Sequence, residues 1–129
     1  MKAVVIESHG GNEVLQYKDI ELGVLEEDKV KLEIKASSIN HLDVWVREGL
    51  PKMELPLPLV MGSDASGVVV EVGKKVTQFS IGDEVIVQPG VYCGNCTYCI
   101  DGMENFCHNY GILGETENGV QAENIIVNP

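Results

Sequence analysis

Basic side chains are scarce in this chain of 129 residues: nine lysines and arginines are outnumbered by twenty acidic residues, which gives a net charge of −11. Nucleic acids and anionic membrane surfaces attract proteins through clustered positive charge, which this composition does not provide. The chain also lacks any apolar run near the ~20 residues that a membrane-spanning helix requires. We therefore predict a protein that binds neither nucleic acid nor membrane.

A secretory signal is missing as well. The first residues, Met1-Lys2-Ala3-Val4-Val5-Ile6-Glu7, reach an acidic side chain before an apolar segment of sufficient length can form. There are no internal repeats and no low-complexity segments, and 129 residues suffice for one domain with its own core. The interpretation is a single cytoplasmic domain whose cysteines remain reduced.

Cysteine is rare, but all four cysteines lie close together in the sequence. Cys93, Cys96 and Cys99 follow one another at steps of three residues, and Cys107 completes the set. This spacing predicts a tetrahedral zinc site, which would be structural because four thiolates leave no position for water or substrate. The surrounding lobe, residues 91–110, contains too little apolar material to fold by burial, so the metal would hold it.

Three other interpretations of the cysteines compete with zinc. A pair of disulfides requires an oxidising compartment. A ferredoxin-type iron–sulfur cluster would place the fourth cysteine sooner and before a proline, whereas Cys107 comes after seven residues and precedes His108. A redox pair needs one C-x-x-C unit and leaves the other cysteines without a role. His108 is an alternative fourth ligand, although the thiolate of Cys107 has the better spacing.

Short apolar segments separated by glycine and proline turns predict a mainly β fold, either a barrel or a sandwich. Alternation is clearest over Lys29–Ile39, where one face of a strand would carry Val30, Leu32, Ile34 and Ala36. Further strands are expected within Lys2–Ile6, Val14–Ile20, Leu59–Val72, Ile81–Val87 and Gly119–Val127.

One short helix is predicted from about His41 to Glu48. Asn40 suits its N-cap and Gly49 suits its end. Trp45 and Val46 fall on the apolar side of this helix and are expected in the core.

Other motifs occur along the whole chain. They are Gly10-Gly11-Asn12-Glu13-Val14-Leu15, Asn40-x-x-Asp43-x-x-x-Arg47-x-Gly49, Gly62-x-Asp64-x-x-Gly67-x-Val69, Val76-Thr77-Gln78-Phe79-x-x-Gly82-Asp83-x-Val85 and Gly119-Val120-Gln121-Ala122-Glu123. With the cysteine lobe, they resemble the N-terminal domain of the medium-chain dehydrogenase/reductase superfamily, which includes zinc-type alcohol dehydrogenases and quinone oxidoreductases. The resemblance covers residues 1–129. It implies a GroES-like β-barrel with one or two short helices and a four-cysteine zinc lobe.

The same resemblance draws attention to two substituted positions. Zinc-type alcohol dehydrogenases hold a catalytic zinc through a cysteine just before the short helix, through a Gly-His-Glu motif and through a later ligand. Here the cysteine position holds Asn40, and the motif is Gly62-Ser63-Asp64. Amide and hydroxyl groups are poor zinc ligands, and one carboxylate alone cannot hold the metal. We therefore expect one structural zinc per chain and no catalytic zinc.

Members of this family continue into a Rossmann domain that binds NAD(P), usually marked by a glycine-rich turn. No G-x-G-x-x-G motif occurs in this chain, which stops at Pro129. We expect NAD(P) to bind only in a longer protein, which would be a homo-oligomer, and the isolated chain to be an inactive monomer. The resemblance implies hydride transfer to a small carbonyl, enone or quinone substrate.

Five residues are candidates for the lining of the substrate cleft: Asn40, His41, Asp43, Ser63 and Asp64. Asn40 would donate a hydrogen bond to a substrate oxygen, and His41 would contact cofactor phosphate or relay a proton. Asp43 would hold the helix start. Each residue also has a simpler explanation, as an N-cap, a solvated surface group, a partner of the helix dipole or a structural hydrogen-bonding group. The alternative to an enzyme is a non-enzymatic, zinc-stabilised β-domain that acts as an interaction module.

Overall fold

Short strands with alternating apolar residues form most of the ordered backbone. A computed structural model describes the whole chain, Met1–Pro129. Its strands are β1 (Lys2–Ile6), β2 (Gln16–Asp19), β3 (Val30–Ser37), β4 (Leu59–Val60), β5 (Ala65–Val72), β6 (Glu84–Ile86), β7 (Gly90–Val91), β8 (Gly111–Ile112) and β9 (Asn124–Val127). Its α-helices are α1 (His41–Glu48) and α2 (Thr97–Ile100), and single 3-10 turns span Asn12–Val14 and Glu104–Phe106. Neither helix has the length and apolarity needed to cross a bilayer.

The strands form two main sheets and one small ladder, all with antiparallel neighbours. The first sheet has the order β2-β1-β4, the second has the order β6-β5-β3-β9, and β7 pairs with β8 separately. The prediction of a mainly β fold with one or two short helices is confirmed.

The predicted inward face of β3 is correct only in its first half. Val30 and Leu32 are each 3% exposed, and Ile34 packs against the same apolar cluster. Ala36 is exposed. Pairing with β5 changes register between Ile34 and Ala36, and such a bulge bends a strand and re-aims the side chains that follow it.

Helix α1 has the predicted bounds, and Gly49 follows it with a φ of 95°. Val46 is 0% exposed and packs in a cluster with Ile6 and Met61. The prediction of a buried Trp45 is wrong, because this side chain is 51% exposed. Adjacent helical residues point ~100° apart, so a short helix that buries Val46 turns Trp45 towards solvent.

The segment 119–123 joins the two main sheets. Its backbone hydrogen bonds measure 2.8 to 3.0 Å and reach both sides: Gly119 N–H donates to Val60 O, Val4 N–H donates to Gln121 O, and Ile34 N–H donates to Glu123 O. The chain then continues into β9, which pairs with β3. This segment therefore closes the fold around the main core cluster, to which it contributes the fully buried Val120.

Gly119 lets the closing segment approach the backbone before Ser63. A Cβ at this position would lie 2.2 Å from Gly62 O and 2.5 Å from Met61 O, well inside van der Waals contact. Only a residue without a side chain fits this crossing without displacing backbone.

We predict that Gly119→Ala destabilises the fold by roughly 2 kcal/mol, the usual cost of overpacking where the neighbours cannot yield. Denaturant unfolding followed by circular dichroism measures the change. Gly23→Ala is the matched control, since no atom lies within 4 Å of a Cβ added there. Equal stability of the two variants would contradict the role assigned to the crossing.

Candidate functional site

The four cysteines lie on an excursion from the small ladder of β7 and β8. Gly90 pairs with Ile112 and Val91 pairs with Gly111, so the excursion leaves and rejoins the fold at neighbouring positions. Within it, α2 carries Cys99, and the 3-10 turn Glu104–Phe106 leads to Cys107.

The sulfur atoms converge on one point. All four Sγ atoms lie within 4.8 Å of one another. The separation is 3.5 Å between Cys96 and Cys99, and 3.9 Å between Cys93 and Cys99. A zinc ion with four sulfurs at about 2.3 Å has tetrahedral edges of ~3.8 Å, so the observed spacing fits it. These distances also far exceed the ~2.05 Å of a disulfide bond.

Backbone N–H groups point at the sulfurs. Cys93 N–H and Asn109 N–H each donate to Cys107 Sγ at 3.4 Å. Hydrogen bonds from the N–H groups of Asn95 and Cys96 lower the pKa of the Cys93 thiol to about 6. Burial, and then contact with Cys96, raise the pKa of the Cys99 thiol to about 12. Crowded thiols of this kind cannot all ionise together unless a cation neutralises them.

Burial contributes little to this lobe. Cys107 is its only buried residue, whereas Ile100 and Phe106 are 73% and 59% exposed. A metal ion bound by the four thiolates would therefore be the main source of order for the excursion. The ring of His108 stacks edge-on against Tyr98 at 5.7 Å, while Cys107 supplies the fourth sulfur of the cluster.

A second group of polar side chains gathers at the start of α1. The side-chain Nδ2 of Asn40 donates to Asp64 Oδ2, and the backbone N–H of Asn40 donates to Asp43 Oδ2 at 2.8 Å. Asn40 thereby links two carboxyl groups that lie 21 residues apart in the sequence, at positions 43 and 64. It has the extended backbone of an N-cap residue, with φ of −102° and ψ of 155°.

Asp43 is the only buried carboxyl group, with 6% of its surface exposed. Its Oδ1 atom is inaccessible and has no hydrogen-bond partner. Burial raises the pKa of Asp43, the hydrogen bond from Asn40 opposes that rise, and the charge of Asp64 adds to it.

The other two candidate residues lie apart from this group. Ser63 is 2% exposed, and its hydroxyl donates to Leu113 O at 2.8 Å. His41 is exposed, and its ring meets Trp45 edge-on at 4.8 Å. The structure thus brings together Asn40, Asp43 and Asp64, and directs Ser63 and His41 elsewhere.

Ser38 was not predicted as a member of this polar group. Its Oγ lies 3.5 Å from Asp64 Oδ2. Ser38 precedes Asn40 in the turn between β3 and α1, and its backbone N–H also donates to Asp64 O at 3.1 Å. No local pattern marks this contact, because the two residues meet only through the pairing of β3 with β5.

The sequence matches a known class of domain. A family model described as the alcohol dehydrogenase GroES-like domain matches residues 26–129. The chain belongs to this family, and the predicted resemblance to zinc-type alcohol dehydrogenases is confirmed.

The related proteins that match this chain are considerably longer than it. An alcohol dehydrogenase of Schizosaccharomyces pombe is 33% identical over 98% of this chain and 36% of its own length. The NAD-dependent alcohol dehydrogenase of Sulfolobus acidocaldarius is 31% identical over 98% of this chain and 38% of its own. The chain therefore spans little more than a third of these proteins.

Solved structures have the same fold. A crystal structure of an NAD-dependent alcohol dehydrogenase is 45% identical, with a TM-score of 0.93 over 99% of this chain and 37% of the other. A thermostable alcohol dehydrogenase from Pyrobaculum aerophilum is 34% identical, with a TM-score of 0.88 over 99% of this chain and 38% of the other.

We predict that Cys107→Ser abolishes zinc retention and that His108→Ala preserves it. Serine cannot supply the fourth thiolate, whereas the imidazole of His108 stacks on Tyr98. Metal analysis after gel filtration should give about one zinc per chain for the His108→Ala variant and almost none for the Cys107→Ser variant. The reverse result would show that His108 is the ligand.

Zinc removal should disorder the lobe and leave the barrel folded. The main core cluster, which includes Val30, Leu32 and Val69, lies outside the excursion and depends on apolar burial. We expect a chelator to broaden the amide NMR signals of residues 93–107 while those of β3 and β5 keep their positions. Global unfolding on chelation would contradict a local role for the metal.

Proposed function

We propose that this chain is the substrate-side domain of an NAD(P)-dependent oxidoreductase, with one structural zinc and no catalytic zinc. The observation that carries the proposal is the hydrogen bond between Asn40 and Asp64, because it joins two positions where the family holds catalytic zinc. The family match and the similarity to NAD-dependent alcohol dehydrogenases support the reaction class. The cofactor would bind to the remainder of a longer protein.

Cys93, Cys96, Cys99 and Cys107 would hold the structural zinc. Their separations suit a tetrahedral ion, and four thiolates leave no open position for a substrate. Reduced thiols suit the cytoplasm, where we place the protein. In this proposal the metal keeps the lobe in shape and takes no part in the reaction.

The residues at the second centre do not suit a zinc ion. Asn40 directs its N–H group at a carboxylate, and the Ser63 hydroxyl is already bonded to Leu113 O. Catalytic zinc sites use three protein ligands, usually with nitrogen or sulfur among them. The remaining ligand candidates, Asp43 and Asp64, offer only oxygen.

Without a metal, hydrogen-bond donors must stabilise the negative charge that develops on a substrate oxygen. Asn40 has a second side-chain N–H besides the one bound to Asp64, and this group would donate to a carbonyl, an enone or a quinone. The exposed ring of His41 would contact cofactor phosphate or relay a proton. NAD(P)H would supply the hydride, and the protein would orient the two reactants.

The 129-residue chain would be monomeric and inactive by itself, because it holds no recognisable dinucleotide site. A longer protein containing it would be a homo-oligomer.

The test is to extend the reading frame to its natural stop codon and to assay the product with NADH and NADPH. We expect oxidation of one cofactor that depends on an added aldehyde, enone or quinone and persists after mild chelation. Asn40→Ala should lower kcat/KM by roughly 100-fold, the usual cost of losing one such donor. Lys74→Ala, at an exposed side chain in the turn after β5, should have no effect.

Two outcomes would contradict the proposal. A second zinc per chain, required for turnover, would show that the Asn40 and Asp64 centre does bind a metal. A natural stop codon directly after Pro129 would favour a non-enzymatic, zinc-stabilised interaction module.

A further inference from the structure

The segment from Cys93 to Cys99 contains two overlapping C-x-x-C units, which share Cys96. This is the spacing at which disulfide oxidoreductases close their bridge. In the structure all four cysteines are free, and their sulfurs surround one point. A zinc site and a disulfide pair are compatible with one sequence if they belong to the reduced and the oxidised forms of the same lobe.

Cys99 has two sulfur neighbours within 4 Å. Its Sγ lies 3.5 Å from Cys96 Sγ and 3.9 Å from Cys93 Sγ, so Cys96 is the nearer of the two. Cys96 is also the N-cap of α2, and Ile100 N–H donates to Cys96 O at 3.0 Å, which places Cys96 and Cys99 on the same turn. Side-chain rotation within this turn has to shorten the sulfur separation only from 3.5 Å to the ~2.05 Å of a disulfide.

Cys107 is the least available of the four sulfurs. Its residue is 6% exposed, whereas the other three cysteines are half-buried. Cys107 Sγ also accepts the N–H groups of Cys93 and Asn109, each at 3.4 Å, and these bonds hold it in place. An oxidant in solution therefore meets the other three sulfurs of this chain first.

We propose that the cysteine lobe is a redox-sensitive zinc switch, in which a hydroperoxide joins Cys96 to Cys99 and thereby releases the metal. The inference rests on the structural zinc of the proposed function. Only thiolates bind zinc in such a site, and formation of the disulfide removes two of them. Cys93 and Cys107 would remain, and two ligands are too few for a structural zinc site, which uses four.

The oxidation requires one peroxide molecule for each pair of sulfurs. One thiolate of the pair attacks a peroxide oxygen, the O–O bond breaks, and the departing oxygen takes a proton and leaves as water. The resulting sulfenic acid condenses with the other sulfur, so that the S–S bond forms, the S–O bond breaks and a second water leaves. Two thiolates, one hydrogen peroxide and two protons thus give one disulfide and two waters. Zinc has no redox chemistry and departs as the same divalent ion.

Loss of the metal would separate the two halves of the lobe. The disulfide closes only the first turn of α2, whereas a zinc ion would connect Cys107 to the other three cysteines. Ile100 and Phe106 are largely exposed, so burial does not replace that connection. Disulfides of cytosolic proteins are usually transient and redox-sensing, and a dithiol reductant reverses them by exchange.

The test treats the zinc-loaded 129-residue chain with increasing amounts of hydrogen peroxide and records zinc release with a chromogenic chelator. We expect about one zinc to be released for each disulfide formed. Two of the four titratable thiols should be lost, and dithiothreitol with added zinc should restore both thiols and metal. Met103→Leu is the matched control, because Met103 lies in the same lobe, is 40% exposed and is itself open to oxidation. This variant should release zinc as the unsubstituted chain does.

Peptide mapping identifies the bridge. Chymotrypsin cleaves after aromatic residues, and cleavage after Tyr98 separates Cys96 from Cys99. After alkylation of the remaining thiols, tandem mass spectrometry should find these two cysteines joined and the alkyl groups on Cys93 and Cys107.

Three results would overturn the proposal. They are zinc retention with all four thiols intact, a main product in which Cys93 or Cys107 forms the bridge, and zinc loss through irreversible sulfinic acids without a disulfide. Zinc analysis before peroxide is added distinguishes the switch from the proposed function. A chain without zinc at that stage contradicts the structural zinc and the switch together, whereas a zinc-loaded chain that fails the peroxide test contradicts the switch alone. The hydride-transfer assay stays an intact test in both cases.

Discussion

The crossing of segment 119–123 over the backbone before Ser63 determines the rest of the architecture. Gly62 O would lie 2.2 Å from a Cβ at Gly119 and 2.4 Å from a Cβ at Gly114. The backbone therefore approaches Gly62 O at both glycines, and no side chain lies between them. The segment joins both sheets and buries Val120 completely. This segment also sets the position of Asp64, and therefore the position of the carboxyl group that lies near the start of α1.

The two polar centres differ in how the chain assembles them. The cysteine centre gathers its four thiols from 15 consecutive residues, from position 93 to position 107, and needs little from the surrounding fold. The Asn40 centre needs the antiparallel pairing of β3 with β5, which brings residue 64 back to residue 38. Sulfur gathers at the first centre, whereas oxygen and amide groups gather at the second, so the two suit different chemistry.

This contrast explains what could be predicted from the sequence. The bounds of α1, most strands and the sulfur cluster follow from local spacing, which the sequence displays directly. The bulge in β3 and the exposure of Trp45 depend on register and on helix rotation, which local alternation does not specify. The bond between Asn40 and Asp43 is local and agrees with the predicted cap of α1. The bond from Asn40 to Asp64 was hidden, because these residues come from segments that are remote in sequence.

The ladder of β7 and β8 has a consequence for how this domain tolerates changes in length. The excursion begins beside Val91 and returns at Gly111, its paired neighbour, so the gap that it spans stays the same however many residues it contains. Closing a longer loop costs little additional entropy, and each doubling adds only about 0.6 kcal/mol. Insertions or deletions between these two points would therefore leave the sheets undisturbed, and the lobe can diversify independently of the barrel that carries it.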